Sequence, residues 1–159
     1  MRSGVASAQA GKSPRSAIAD ARLIAQTRAV TRDDHNYQID RRLVAVGALL
    51  GALAVTFGAF GAHALKARLG AEALDWWHTA VEYQMGHAIV ILALGLAYRP
   101  GTRLPGWLFV AGTLIFSTTL YALALGAPKW LGAVTPLGGL AMIGGWVVLA
   151  WRAGRGRLG

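Results

Sequence analysis

The chain has 159 residues, 55% of them hydrophobic, and 16 Lys and Arg against seven Asp and Glu give it a formal net charge of +9. It has no cysteine, which excludes disulfides, thiolate metal ligands and a thiol nucleophile. Its apolar runs are too long and uncharged for a soluble core. Anionic headgroups and membrane orientation therefore explain the excess of basic residues better than nucleic acid does. Nucleic acid is not an expected partner.

Residues 1–42 are rich in Arg, Ala and Ser and carry no persistent apolar stripe. This composition predicts a disordered, basic cytoplasmic extension. Up to Arg32 it has six basic residues and one acidic residue, Asp20, a bias that is also typical of an organellar transit peptide. An unstructured tail, an upstream start codon and a transit peptide are therefore alternatives, and the last would place the chain in the mitochondrial inner membrane.

Four long apolar runs follow, at 43–62, 79–98, 105–125 and 131–151. Each is long enough to cross a hydrocarbon core of about 30 Å as a helix, and only a helix satisfies its own backbone in lipid. The runs predict an all-α integral membrane bundle of four transmembrane helices, at about 43–65, 71–98, 105–125 and 131–151. They form a transmembrane domain at 43–152, before a basic cytoplasmic tail at 153–159.

Two of these boundaries have alternatives. Arg41 and Arg42 precede the first run and Ala62-His63-Ala64 resembles a cleavage site, as in a secretory signal. The run exceeds the roughly 7–15 residues of a signal's apolar region, so we interpret it as a span. The fourth helix has a later start at Thr135, a good N-cap that is followed by Pro136.

The basic residues also predict an orientation. With four spans, 13 of the 16 Lys and Arg lie on the side that holds both termini. The positive-inside rule places that side in the cytoplasm, so we expect a multi-pass protein of the bacterial inner membrane with cytoplasmic termini.

Small residues predict where helices approach each other closely. Such residues replace the hydrophobic driving force that is missing between helices in lipid. Contacts within one bundle are favoured over a dimerisation face. The candidate packing positions are Gly47, Gly51, Gly58, Gly61, Gly86, Ala141 and Gly145.

Polar side chains concentrate in the outer half of the predicted bundle. For Glu82 and His87 the functional interpretations are a proton relay, an ion site or acid–base chemistry, and the structural one is interhelical hydrogen bonding. His63, His78, Glu82 and His87 are suitable metal ligands, but their spacing does not form a metal-binding motif. Neither a metal nor a cofactor is therefore predicted. The candidate cluster is His63, His78, Glu82, Tyr83, Gln84, His87, Tyr121 and Thr135.

Four ordered motifs resemble a known family. They are GAFGAHAL at 58–65, WHTAVEYQMGH at 77–87, FSTTLY at 116–121 and TPLGG at 135–139. Together they resemble the small membrane proteins of the YgdD and transmembrane protein 256 type, uncharacterised-domain family 423. The resemblance implies a four-span inner-membrane protein and no settled activity. Its motif positions correspond to Gly58, Phe60, Gly61, His63, Thr79, Tyr83, Gln84, His87, Ser117, Tyr121, Thr135, Pro136 and Gly138.

No catalytic motif such as G-x-S-x-G or a Walker loop is present, so we do not expect an enzyme. The first hypothesis is a non-enzymatic accessory or scaffold protein that binds the bilayer and another membrane protein or itself. The alternative is a small transporter or proton-relay protein that uses His63, Glu82, Gln84 and His87.

Overall fold

The computed structural model describes residues 18, 22–26 and 38–158 of the chain. It divides into two units, Met1–Tyr37 and Gln38–Gly159. In the first unit, residues 22–26 are helical and exposed. Most of the predicted extension at 1–42 lies outside the described residues, and its predicted disorder stays a prediction.

Four long helices form the second unit. They are α1 (Arg41–Phe60), α2 (Ala71–Leu96), α3 (Arg103–Ala124) and α4 (Thr135–Gly154). With the turns attached to them, all four are long and apolar enough to cross a membrane. The described residues contain no strand, only an isolated bridge between Gln38 and Tyr98. The predicted all-α, four-helix membrane fold is confirmed.

Short turns of other helical types join these helices. A π-helical turn at Gly61–Leu65 extends α1, and 3₁₀ turns at Pro100–Thr102 and Lys129–Ala133 precede α3 and α4. The fourth helix therefore begins at the later of the two predicted starts. Val134 is the cap residue of α4, and Thr135 is its first helical residue, whose hydroxyl makes no capping hydrogen bond. The expectation that Thr135 is the N-cap was wrong by one residue.

Each helix packs mainly against its neighbours in the chain. The extensive contacts are α1 with α2, α2 with α3, and α3 with α4. Half of the most apolar stretch of α3 is buried, compared with about a quarter for each of the other helices. The two outermost helices, α1 and α4, do not pack extensively on each other.

The core has two apolar clusters at different depths. The first, towards the end of the bundle that holds both termini, is built around Leu43, Ile91 and Phe109. The second, towards the opposite end, is built around Trp77 and Leu120. Helix periodicity contributes to both, because the buried residues of α1, α2 and α4 recur at spacings of three or four.

Glycines fix the closest helix approaches, as predicted for several positions. A Cβ added at Gly47 would lie 2.7 Å from the Leu92 backbone nitrogen, and one at Gly145 would lie 2.7 Å from the Phe109 ring. Gly86 makes no such contact within the described chain, because a Cβ there would meet nothing within 4 Å. A crossing absent from the predicted set joins α3 to α4, where Gly112 and Gly138 lie against each other.

Replacing Gly138 tests this crossing. A Cβ at Gly138 would lie 2.5 Å from the Phe116 backbone nitrogen and 2.8 Å from the Gly112 carbonyl oxygen, neither of which can rotate away. We expect Gly138→Ala to lower the free energy of unfolding by about 1–3 kcal/mol, the usual cost of overpacking. The measurement is reversible unfolding in mixed micelles, followed by circular dichroism.

The adjacent residue supplies the control. A Cβ at Gly139 would meet nothing within 4 Å, so Gly139→Ala should be neutral or slightly stabilising. Equal destabilisation by both variants would contradict the assigned crossing of α3 and α4.

Candidate functional site

Gln84 is the central polar residue of the bundle. It is 3% exposed and lies on α2 between the two apolar clusters. Its Nε2 donates to the Leu50 carbonyl oxygen of α1 at 2.8 Å, and its Oε1 accepts from the Tyr121 hydroxyl of α3 at 3.0 Å. A carbonyl only accepts hydrogen bonds, so the amide has a single orientation that satisfies both partners. One side chain thus connects three helices.

Ser117 adds a second link between α2 and α3. Its hydroxyl donates to the Ala80 carbonyl oxygen at 3.1 Å, and the side chain is buried. We call Gln84, Ser117 and Tyr121 the polar layer. Every hydrogen bond in this layer joins two different helices, and each ends on a backbone carbonyl or on another layer residue.

Thr135, another residue of the predicted cluster, has a hydroxyl that belongs to a separate pair. Its Oγ1 lies 2.9 Å from the Thr119 Oγ1, which also bonds to the Phe116 carbonyl oxygen in the preceding turn of α3. The pair links α3 to the start of α4. The structure therefore brings together two small groups of polar residues instead of one large cluster.

His87 occupies an aromatic pocket. Its Nδ1 lies 2.9 Å from the Tyr83 carbonyl oxygen, which only accepts, so this nitrogen carries a proton. Its ring lies 5.6 Å from that of Phe109 and 6.4 Å from that of Trp146. The other nitrogen, Nε2, is buried with no hydrogen-bond partner among the described residues.

Four predicted cluster residues lie outside these groups. His63, His78 and Glu82 are exposed on the bundle surface. Tyr83 is also 46% exposed, although its ring lies against that of Phe116. The described residues contain no group of three His, Cys, Asp or Glu side chains arranged to hold a metal ion.

On α2, the outward face consists of His78, Glu82 and Gly86. The three residues are spaced by four, so a helix places them on one side. Glu82 makes no hydrogen bond or ion pair with any described residue. It lies in the first half of the candidate span Ala71–Leu96, about 16 Å along the helix axis from the start of α2. Glu82 and Gln84 therefore face different sides of α2.

Trp77 is a buried contact that the site prediction did not include. Its Nε1 donates to the Phe57 carbonyl oxygen at 2.8 Å, and its ring lies 4.6 Å from that of Tyr121. A Cβ at Gly61 would lie 2.6 Å from the Trp77 ring, so the glycine makes room for the indole. The sequence could have indicated this contact, because Trp77 precedes Ala80 by three residues and Gln84 by seven and so lies on the same face of α2.

The fold and the polar layer define a small four-span membrane protein, and known proteins confirm this class. Residues 57–139 match the family described as protein of unknown function (DUF423). A UPF0382 membrane protein of Staphylococcus saprophyticus is 42% identical over 109 residues, which cover 67% of this chain and 91% of the relative. UPF0382 membrane protein YwdK of Bacillus subtilis is 40% identical over 111 residues, covering 67% and 90%.

A third relative, from Escherichia coli, is the UPF0382 inner membrane protein YgdD. It is 36% identical over 115 residues, which cover 69% of this chain and 86% of the relative. No solved structure matches the chain. The chain belongs to the DUF423 family of membrane proteins, and the resemblance found in the sequence motifs is confirmed.

The hydrogen bonds of Gln84 can be tested by substitution. Tyr121→Phe removes the donor to Gln84 and should lower the free energy of unfolding by about 1 kcal/mol, a typical value for an interhelical hydrogen bond in a membrane. Gln84→Met removes both bonds and should cost about 2 kcal/mol. Unfolding in mixed micelles measures both values.

The control is Tyr83→Phe, which deletes the same hydroxyl from an exposed residue and should change stability little. In the Gln84→Met background, Tyr121→Phe should cost less than in the parent chain, because its partner is already gone. Strictly additive losses would show that Gln84 and Tyr121 do not interact.

Proposed function

We propose that this chain is a non-enzymatic accessory protein that binds another membrane-spanning protein through the outward face of α2. The observation that carries the proposal is the position of Glu82. Its carboxyl group is inside an apolar span, yet it points away from the polar layer and has no partner among the described residues. Ionisable groups in membrane spans normally pair with each other or face a polar cavity.

A partner helix would satisfy this carboxylate. A Lys, Arg or His from another protein would supply the opposite charge, and His78 one turn away would add a hydrogen-bonding group. Gly86, one turn further into the span, is open on its surface, with no atom within 4 Å of an added Cβ. Small residues at such positions allow a second helix to approach closely.

The relay alternative finds less support in the geometry. Glu82 and His63 are exposed, whereas Gln84 is buried and both ends of its amide are occupied by Leu50 and Tyr121. A relay would need these groups within hydrogen-bond reach of one another. The free Nε2 of His87 is the one observation that favours a proton-binding role, and it is enclosed by the Phe109 and Trp146 rings.

Site-specific crosslinking tests the proposed interface. A photocrosslinking residue in place of Gly86 should capture a membrane-spanning protein in native membranes. Glu82→Gln should reduce that adduct strongly while leaving unfolding in micelles unchanged, because Glu82 has no partner within the described chain. The captured peptide should carry Lys, Arg or His within a membrane span. Exchanging the charges, with Glu82→Lys here and an acidic residue in the partner, should restore the adduct.

A crosslinker in place of Ile143 is the matched control. Ile143 lies near the middle of α4 and is 60% exposed, so lipid should be its main adduct. Three results would contradict the proposal. The Gly86 adduct could have twice the chain mass of 16.7 kDa, or it could contain only lipid. It could also be a protein adduct that forms equally well with and without the Glu82→Gln substitution.

We further propose that both termini lie in the cytoplasm, on the side that holds 13 of the 16 Lys and Arg. The mature protein would then lie in the bacterial inner membrane, with the Lys129 loop outside. The outward Glu82 would face a partner in the outer half of the bilayer.

Thiol labelling tests this orientation without background, since the chain contains no cysteine. A cysteine in place of Lys129 should react with a membrane-impermeant maleimide in intact spheroplasts. A cysteine in place of Arg155 should react only after permeabilisation. The opposite pattern would reverse the orientation, and labelling of both in intact cells would indicate mixed topologies.

A further inference from the structure

A basic pocket lies at the end of the bundle where α1 and α3 begin and α2 ends. It is a shallow, largely open pocket with a volume of about 350 Å³. It is separate from the polar layer and from the outward face of α2. The lining residues are Ile39, Asp40, Arg41, Arg42, Tyr98 and Arg103.

The backbone around this pocket is held in place. Asp40 caps α1, because its Oδ1 accepts from the Arg42 nitrogen at 3.0 Å and from the Leu43 nitrogen at 3.2 Å. The Asp40 nitrogen donates to the Gly95 carbonyl oxygen at 2.9 Å, which attaches the start of α1 to the end of α2. One lining carboxylate is therefore occupied by the helix cap, beside three guanidinium groups.

These lining arginines differ from three other arginines at the same end of the bundle. Arg152 donates to the Gly101 carbonyl oxygen at 2.8 Å. Both Arg155 and Arg157 lie over the Trp151 ring, at 4.6 and 5.7 Å from its centroid.

The pocket arginines are not engaged in this way. Arg41, Arg42 and Arg103 are exposed, and their side chains form no hydrogen bond or ion pair in the part of the chain that the structure describes. Three arginines without a side-chain partner among the described residues therefore line the pocket, with one carboxylate among them.

The position of the pocket indicates what it binds. Two spans begin and one ends beside it, so it lies at the level of the phospholipid headgroups. Guanidinium groups bind phosphate through paired, charge-assisted hydrogen bonds. Basic pockets between membrane helices provide the same chemistry for anionic headgroups. Tyr98 supplies a hydroxyl at the rim, suited to a polar headgroup substituent.

We propose that this pocket binds a phosphate-ester anion, with the headgroup of an anionic phospholipid as the expected source. The arginines hold the phosphate, and the acyl chains extend along the bundle beside them. This site does not depend on the proposed partner of Glu82, since the two surfaces share no residue.

Native mass spectrometry of the full chain in detergent tests the proposal. Dioleoyl phosphatidylglycerol and dioleoyl phosphatidylcholine are added at equal concentration, and the bound copies are counted. We expect the anionic lipid to be preferred. Arg42→Gln combined with Arg103→Gln should reduce this preference about tenfold. Arg41 is kept so that the start of α1 retains a positive charge.

The matched control is Arg155→Gln combined with Arg157→Gln, which removes the same charge from the same end. It should change the preference by less than about twofold, because both side chains already lie over Trp151. Equal losses in the two double variants would overturn the proposal in favour of diffuse charge. No preference for the anionic lipid would also overturn it.

Two further arms complete the test. Arg42→Lys with Arg103→Lys keeps the charge but loses the paired geometry, and should weaken binding even if the glutamine variant does not fold. Glycerol 3-phosphate distinguishes the sources. If it displaces the lipid in the parent chain, the pocket takes a soluble phosphate ester, and if it does not, the source is the lipid.

Discussion

The close approach of helix backbones at glycine is the constraint on which the rest of this structure depends. Helices in a bilayer gain little from burying apolar side chains on each other, because lipid is equally apolar. Close packing of the helix backbones against each other stabilises the bundle instead. Gly47 against Leu92, Gly95 against Val44 and Gly112 against Gly138 bring backbones into contact at two of the three main interfaces. Larger side chains at these positions would separate the helices and break the interior hydrogen bonds.

Those hydrogen bonds depend on the close packing in turn. The Gln84 amide reaches the Leu50 carbonyl oxygen at 2.8 Å because α1 and α2 come close together at Gly47, one turn of α1 before Leu50. Ser117 reaches the Ala80 carbonyl oxygen at the corresponding level of α3. Backbone carbonyls serve as acceptors here, so the interior needs few polar side chains. This is how a bundle made mostly of Ala, Gly and Leu still has a defined register between its helices.

Most of the fold could be predicted from the sequence, because span length and the absence of charge are properties of single segments. The site could be predicted only in part. Gln84, Tyr121 and Thr135 were identified, but which side chain reaches which helix depends on packing that no single segment determines. Gly112 was missed because its partner Gly138 lies on another helix, 26 residues away in the chain. The contact of Gly61, at the start of the π-helical turn, with the Trp77 ring likewise joins two helices.

The division between the interior and the surface of α2 bears directly on function. Glu82 and Gln84 are two residues apart, so at 100° per residue a helix places them about 160° from each other. Gln84 is committed to the interior by its two hydrogen bonds. A proton therefore cannot pass from Glu82 to Gln84 unless α2 rotates, and rotation would break the bonds that hold α1, α2 and α3 together. This arrangement supports the proposed partner-binding face of α2 more than a relay from Glu82 through Gln84.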